Sequence, residues 1–127
     1  MEIPDDGTAQ RIDGSGGRIR YRMHAEIFYT RYLEFLTAFA EIRAYEAKME
    51  WSAARLWSPV AGRTNHVVVE WCYPDLAGFD REHVMRTHDP GYRAFIRKAA
   101  EITVQGSAST ELLQEGAPSV PRALKPA

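Results

Sequence analysis

The chain has 127 residues, of which 45% are hydrophobic and 26% are charged, as is usual for one soluble globular domain. Its formal net charge of −1 gives no electrostatic attraction for nucleic acid or for an anionic membrane surface. Cys72 is the single cysteine, which excludes an intrachain disulfide and a CxxC motif, and no signal peptide or membrane-spanning run is evident. We therefore expect a cytoplasmic protein without nucleic-acid or membrane partners.

Two terminal segments are predicted to flank the domain. Residues 1–17 are rich in glycine and acidic residues and predict a flexible leader. Residues 115–127 contain three of the seven prolines and predict a flexible tail. The folded domain is therefore expected over residues 18–114.

Strict alternation over residues 18–27 predicts the first strand. Such a strand has two chemically different faces. The apolar face would carry Ile19, Tyr21, Met23 and Ala25. The charged face would carry Arg20, Arg22, His24 and Glu26.

Helical spacing of apolar residues then predicts a long helix to about Glu50, with Glu46 among its exposed charges. The segments SAARLWSPV and NHVVVEWCY predict two strands of a hairpin. Asp75 is expected to cap a helix that buries Leu76, Phe79 and Val84. A break at Asp89-Pro90-Gly91 precedes another helical stretch and a closing strand in ITVQGSASTELL. The helical bases are assigned to a solvated face: Arg81, Arg86, Arg93, Arg97 and Lys98.

The element order β-α-β-β-α(α)-β predicts a ferredoxin-like α+β fold with a four-stranded antiparallel sheet and helices on one face. Such a sheet leaves its other face uncovered, and these strands are too rich in apolar and aromatic residues for that face to remain wet. Two sheets stacked face to face would cover it. We therefore expect a homodimer.

The stretch LWSPVAGRTNHVVVEWCYPDLAGFDRE resembles the dimeric α+β-barrel superfamily, and in particular NIPSNAP-like proteins and the antibiotic-biosynthesis monooxygenase group. The helix YLEFLTAFAEI and the later DPGYRAFIRKAAEI also fall where that superfamily has its helices. The resemblance extends over about residues 18–114 and concerns structural motifs more than chemical ones. It implies a dimeric α+β barrel with a small pocket between sheet and helices.

Members of that superfamily include cofactor-independent monooxygenases, polyketide cyclases, lactone isomerases, haem-degrading enzymes and proteins without known activity. The resemblance implies a small apolar or aromatic substrate and natural-product biosynthesis without a nucleotide cofactor. Haem is the alternative cofactor, since His83 or His88 falls in the region that supplies an iron ligand in haem-degrading relatives. Their spacing of five residues does not form an HExxH pair, so no other metal is expected.

The charged face of the first strand supplies the candidate catalytic residues. We expect His24 to act as a general base oriented by Glu70, with Arg22 stabilising the resulting anion. His88 is a second candidate acid or base, at the mouth of the pocket. The alternative is that this face forms an ion-pair cluster that sets the register of a dimer interface.

The chain contains 3 Trp, 6 Tyr and 5 Phe, which is a large aromatic content for its length. Several of these residues are expected to line a cavity for a flat apolar molecule, although they are equally suited to a packed core. The predicted substrate-binding residues are Tyr21, Met23, Phe35, Phe39 and Trp71.

The function expected from these observations is cofactor-free oxygenation or cyclisation of an aromatic or polyketide-type molecule. The alternative is a non-catalytic dimer that binds a ligand or a partner. A cavity touching both a histidine and a carboxylate would indicate the enzyme. An interior in which every ionisable group is paired would indicate the binding protein.

Overall fold

A computed structural model describes residues 18–115 of the chain. The predicted leader and the predicted tail after Glu115 lie outside these residues. A short 3-10 turn, Tyr29–Arg31, precedes the first helix. The strands are β1 (Ile19–Glu26), β2 (Arg55–Trp57), β3 (His66–Tyr73) and β4 (Ser109–Gln114), and the helices are α1 (Tyr32–Met49), α2 (Leu76–His88) and α3 (Pro90–Ile102).

The four strands form one antiparallel sheet in the order β2-β3-β1-β4. This order confirms the predicted ferredoxin-like α+β arrangement. The three helices cover one face, which we call the helix side, and the opposite face is called the open face. None of the helices within residues 18–115 is long and apolar enough to cross a bilayer.

Alternation along β1 separates the two faces as predicted, because successive side chains of a strand point in opposite directions. Ile19 and Ala25 are buried on the helix side in a core that also contains Phe35 and Ile102 from the helices. On the open face, Arg22 lies opposite Glu70 of β3 and Glu111 of β4. The sheet therefore has an apolar helix side and a charged open face.

Local capping determines where α2 and α3 begin. The side chain of Asp75 accepts a hydrogen bond from the Gly78 amide at 2.7 Å, which confirms the predicted cap of α2. Asp89 accepts one from the Tyr92 amide at 2.8 Å, and Pro90 occupies the first turn of α3. The predicted helix break is therefore present.

The face that α2 buries differs from the prediction. Leu76 and Val84 were expected to be buried but are 48% and 50% exposed, whereas Phe79 packs against the core. The helix instead buries two charged residues, Glu82 and Arg86, which are 8% and 5% exposed.

Assignment of Arg86 to a solvated face was therefore wrong, and so was that of Glu46, which is fully buried in α1. The physical reason is that each residue compensates the charge of the other. Such pairing permits charges to occupy positions that would otherwise require apolar side chains.

Candidate functional site

A cavity of about 480 Å³ lies between the sheet and helices α2 and α3. This volume is within the range of small-molecule sites. Strands β1 and β3 form its floor, and the two helices form its walls. The lining residues are Tyr21, Met23, Trp71, Tyr73, His83, Arg86, Thr87, Tyr92, Arg93, Ile96 and Arg97.

Arg86 forms the buried wall of this cavity. Its Nη1 donates a 2.6 Å hydrogen bond to Glu46 Oε2, and its Nη2 donates to the Ser52 carbonyl at 2.8 Å. Glu82, one turn earlier in α2, lies 3.5 Å from the same Nη2. Glu46 also accepts a 2.7 Å hydrogen bond from Trp71 Nε1. The guanidinium is thus held by two carboxylates in a fixed orientation.

Aromatic rings surround the same guanidinium. Its central carbon lies 5.0 Å from the Trp51 ring centroid, 5.1 Å from that of Tyr92 and 5.6 Å from that of Trp71. Burial, the largest single influence, would lower the pKa of Arg86, but Glu46 and the other surrounding acidic groups together outweigh it and raise the pKa above its ordinary value. Arg86 is therefore a permanent cation beside the cavity.

One polar atom of this arrangement has no partner. Arg86 Nε is buried and forms no hydrogen bond with any residue in the described part of the chain. An unsatisfied buried donor costs about 1–3 kcal/mol, so such a group is expected to meet a ligand or water.

Arg93 and Arg97 also line the cavity, and neither forms an ion pair within residues 18–115. No carboxylate is among the described residues that line it, so the expected combination of a histidine with a carboxylate is not found in this cavity. The cavity is therefore suited to an anionic group.

His83 contributes the imidazole of the cavity. Its ring stacks on Phe79 with centroids 5.2 Å apart and meets the edge of Tyr21 at 5.9 Å. The residue is exposed and precedes Arg86 by three positions, so both project from the same side of α2. A histidine at this place can exchange protons with solvent and with a molecule in the cavity.

Two tyrosines, Tyr73 and Tyr92, also line this cavity. Burial raises the pKa of Tyr73 and of Tyr92 above the ordinary value of a phenol. Both hydroxyl groups therefore remain protonated at neutral pH. They can donate hydrogen bonds to a bound oxyanion.

Three of the four predicted catalytic residues lie on the open face, away from this cavity. Arg22 Nε donates to Glu70 Oε2 at 2.7 Å, and this contact raises the pKa of Arg22. The expected pairing of His24 with Glu70 is wrong, because His24 Nε2 bonds Glu111 Oε1 at 2.9 Å. Sequence reasoning missed Glu111, since it comes from the last strand. The hydrogen bond from His24 lowers the pKa of Glu111.

The fourth, His88, is the last residue of α2. Its Nδ1 donates to the Val84 carbonyl at 2.9 Å, and it borders a different cavity of about 700 Å³. The structure therefore does not bring His88 together with His24 or with Glu70. Within residues 18–115, no group of three or more His, Cys, Asp or Glu side chains is arranged to share a metal ion.

The predicted substrate-binding residues are all on the helix side. Tyr21, Met23 and Trp71 line the cavity described above. Phe35 lines a neighbouring cavity, together with Met23. Phe39 packs against the core instead of lining either cavity.

Sequence reasoning did not include Glu46, Tyr73, His83, Arg86 or Tyr92 in the site. Spacing provided a signal for two of them. Glu46 follows Phe35 by eleven positions and Arg86 follows Phe79 by seven, so each charge lies on the apolar stripe of its helix. An opposite charge on each of two inward-facing stripes predicts a buried ion pair.

Comparison with known proteins identifies the family. The sequence model of the NIPSNAP family matches residues 20–115. No curated protein sequence matched. A NIPSNAP domain protein from Burkholderia xenovorans superposes with a TM-score of 0.61 at 20% identity, covering 78% of this chain and 95% of that one. A NIPSNAP family protein from Agrobacterium tumefaciens gives 0.64 at 19% identity, with coverages of 77% and 85%.

The fold is also shared with oxygenases. The structure of SnoaB, a cofactor-independent oxygenase from Streptomyces nogalater, superposes with a TM-score of 0.59 at 15% identity, covering 78% of this chain and 93% of that one. An antibiotic biosynthesis monooxygenase gives 0.59 at 12% identity. At these low sequence identities, the superpositions show a common fold. Because the family match extends over most of the sequence, the chain belongs to the NIPSNAP family.

Proposed function

We propose that the protein is a cofactor-independent enzyme that removes a proton from a small planar aromatic molecule bound in the 480 Å³ cavity. The observation that carries this proposal is the cavity wall, where three arginines lie with His83 and without a carboxylate among the described lining residues. The cations Arg86, Arg93 and Arg97 would stabilise the anion formed by deprotonation. His83, on the same side of α2, is the proposed base.

The chemistry follows from these groups. His83 accepts a proton from an acidic C–H group of the substrate that lies next to a carbonyl or a phenol ring. The negative charge that remains moves to the oxygen of the substrate. Arg86, Tyr73 and Tyr92 stabilise that oxyanion with preoriented donors. The carbanion reacts with O₂ to form a C–O bond, and the peroxide loses water. The balance is one CH₂ group and one O₂ giving one ketone and one H₂O.

The relatives support this class of reaction. A cofactor-independent oxygenase and an antibiotic biosynthesis monooxygenase share the fold. Cyclisation of the same carbanion, without O₂, is the other fate open to it. The aromatic surfaces of Tyr21, Trp71 and Tyr92 are suited to a flat substrate.

Deprotonation can be measured without knowing the natural substrate. The probe is 2-tetralone, a bicyclic aromatic ketone with an acidic benzylic CH₂, and the readout is exchange of that hydrogen for solvent deuterium, followed by NMR under nitrogen. The wild-type protein is expected to accelerate exchange, and His83→Ala to reduce the acceleration by about 100-fold or more. Arg86→Lys keeps the charge but loses the Nε donor, and we expect slower exchange.

The comparison variants are His24→Ala and His88→Ala, which remove the histidines favoured by the sequence. Both are expected to exchange at the wild-type rate. Loss of exchange in either, with His83→Ala unaffected, would overturn the assignment of the base. Binding of the probe without faster exchange would instead support the alternative of a non-catalytic ligand-binding protein.

The proposed reaction uses no bound cofactor. Hemin tests the haem alternative, because histidine-ligated iron would shift the Soret band and His83→Ala would abolish the shift. We expect no such shift in the wild-type protein. Adding O₂ to the tetralone reaction then distinguishes oxygenation, which consumes gas, from other fates of the carbanion.

We further propose that the open face forms the interface of a homodimer. Arg22, Glu70 and Glu111 form one row across three strands, with alternating charge. Trp57 and Leu113 lie beside this row and are 47% and 38% exposed. A second copy would cover these apolar groups and match the alternating charges. In this proposal, Arg22, His24 and Glu70 position the interface and do not take part in catalysis.

A further inference from the structure

A second cavity, of about 660 Å³, lies on the helix side beside the proposed active-site cavity. It is bounded by the sheet, the start of α1, the second half of α3 and the loop before β4. Its lining is almost entirely apolar, and Glu101 is the one charged residue among the described residues that form it. Representative wall residues are Phe28, Phe35, Val67, Val69, Ala99 and Ala100.

The two cavities lie side by side and share part of their walls. Met23 on β1 and Ile96 on α3 line both of them. Beginning at Tyr92, residues of α3 line the first cavity. Further along the helix they line the second cavity, as far as Thr103 at its end. With a rise of 1.5 Å per residue, this stretch of helix corresponds to a trough about 16 Å long.

The chemistry changes along this trough. The first cavity contains three arginines, whereas the second contains no arginine, lysine or histidine among its described lining residues. Glu101 would repel an anion at the far end. Phe28 and Ile96, at the border of the second cavity, are each 44% exposed, so apolar surface remains open to water.

We propose that the natural substrate is an amphiphile, with an acidic aromatic head in the first cavity and an unbranched apolar tail in the second. This inference rests on the proposed function, because the head occupies the site assigned there. The arginines fix the orientation of the molecule. The tail adds affinity by removing apolar surface of the protein and of the ligand from water.

The test is a series of ligands that differ only in tail length: benzoate, 4-butylbenzoate and 4-octylbenzoate, titrated by calorimetry at neutral pH. Affinity for the wild-type protein is expected to rise about fourfold per methylene until the trough is filled. Ala100→Trp and Ala108→Trp place a ring in the second cavity, and each is expected to abolish this dependence on tail length. Benzoate affinity should remain unchanged in both.

Ala94→Trp is the matched control, because Ala94 is an exposed residue of the same helix that lines neither cavity. It should retain the full dependence on tail length. A flat dependence in the wild-type protein, or one that survives in both Ala100→Trp and Ala108→Trp, overturns the inference. Arg97→Met tests the head site separately, because Arg97 lines the first cavity and forms no ion pair among the described residues, and it should weaken every ligand by the same factor without changing the dependence on tail length.

Discussion

Arg86 Nη1 on α2 donates a 2.6 Å hydrogen bond to Glu46 Oε2 on α1, so two charges 40 residues apart in sequence meet in the interior of the domain. Glu46 Oε1 accepts a further 2.8 Å hydrogen bond from the Ala54 amide, just before β2. The carboxylate therefore connects α1, α2, β3 through Trp71 and the segment leading into β2. The wall of the proposed active site is part of the structural core.

Glu46→Gln is expected to destabilise the fold by up to about 3–5 kcal/mol, because it removes the nearer of the two carboxylates that compensate the buried Arg86 charge. The free energy of unfolding in urea measures this loss. Glu41→Gln breaks the surface pair between Glu41 and Lys98, 3.3 Å apart, and should cost no more than about 1 kcal/mol. Equal losses in the two variants would contradict a structural role for the buried pair.

Gly91→Ala is expected to destabilise the start of α3. A Cβ at this position would lie 2.8 Å from Tyr45 Cζ, closer than carbon atoms normally approach. The ring of Tyr45 must then move, at a cost of about 1–3 kcal/mol typical of overpacking. In a Tyr45→Ala background the same substitution should cost much less, because the ring is absent. A double-mutant cycle in urea measures this coupling, and additive losses would disprove the steric explanation.

Stability should depend on the ionisation of Asp89. Hydrogen bonds from the Tyr45 hydroxyl, at 2.6 Å, and from the Tyr92 amide lower the pKa of Asp89 below its unfolded-state value, which is near 3.9. The stabilisation is therefore fully present above about pH 4 and is lost as the pH falls through the lower folded-state pKa. Asp89→Ala should lower the melting temperature by a few degrees at pH 7, since it removes the cap of α3.

The melting temperatures of wild type and Asp89→Ala should converge at acidic pH. Tyr45→Phe removes the largest contribution to the lowered pKa, so the loss of stability on acidification should be smaller in this variant and should be complete at a higher pH than in the wild-type protein. A constant difference between wild type and Asp89→Ala from pH 7 to pH 2 would contradict this explanation.

Leu113→Glu is expected to convert the proposed dimer to a monomer, because it places a charge in the apolar part of the open face. Sedimentation velocity at micromolar concentration measures the oligomeric state. Leu33→Glu is the matched control, since Leu33 is 78% exposed on α1, on the other side of the sheet. A wild-type monomer, or dissociation by both variants alike, would contradict the open-face interface.

Much of the fold could be predicted because its signals are local. The alternation from Ile19 to Glu26 has the period of a strand, and the structure has β1 over these residues. Asp75 and Asp89 each precede a helix and cap it through a side-chain oxygen, so both helix starts were predicted from adjacent residues. Such patterns depend on backbone geometry within a few residues.

The candidate site could be predicted only in part. Tyr21, Met23 and Trp71 were expected to face a cavity, because the apolar side of a strand must meet the helices. Arg86 was not included in the site, since a charge is ordinarily assigned to solvent unless its partner is known, and His83 was named only as a possible haem ligand. The partner of Arg86 is on another helix, so the spacing along each helix indicates that the charge faces inward, but only the packing of the helices shows which residue it meets.

The sequence by itself determined that β1 has one apolar and one charged face, because alternate side chains of any strand point in opposite directions. Only the tertiary structure decided that His24 meets Glu111 on the open face, while Arg86 meets Glu46 at the wall of a cavity. These contacts depend on how the strands pair and how the helices pack. The free energy of burying a charge is therefore determined by contacts with residues that are distant in sequence.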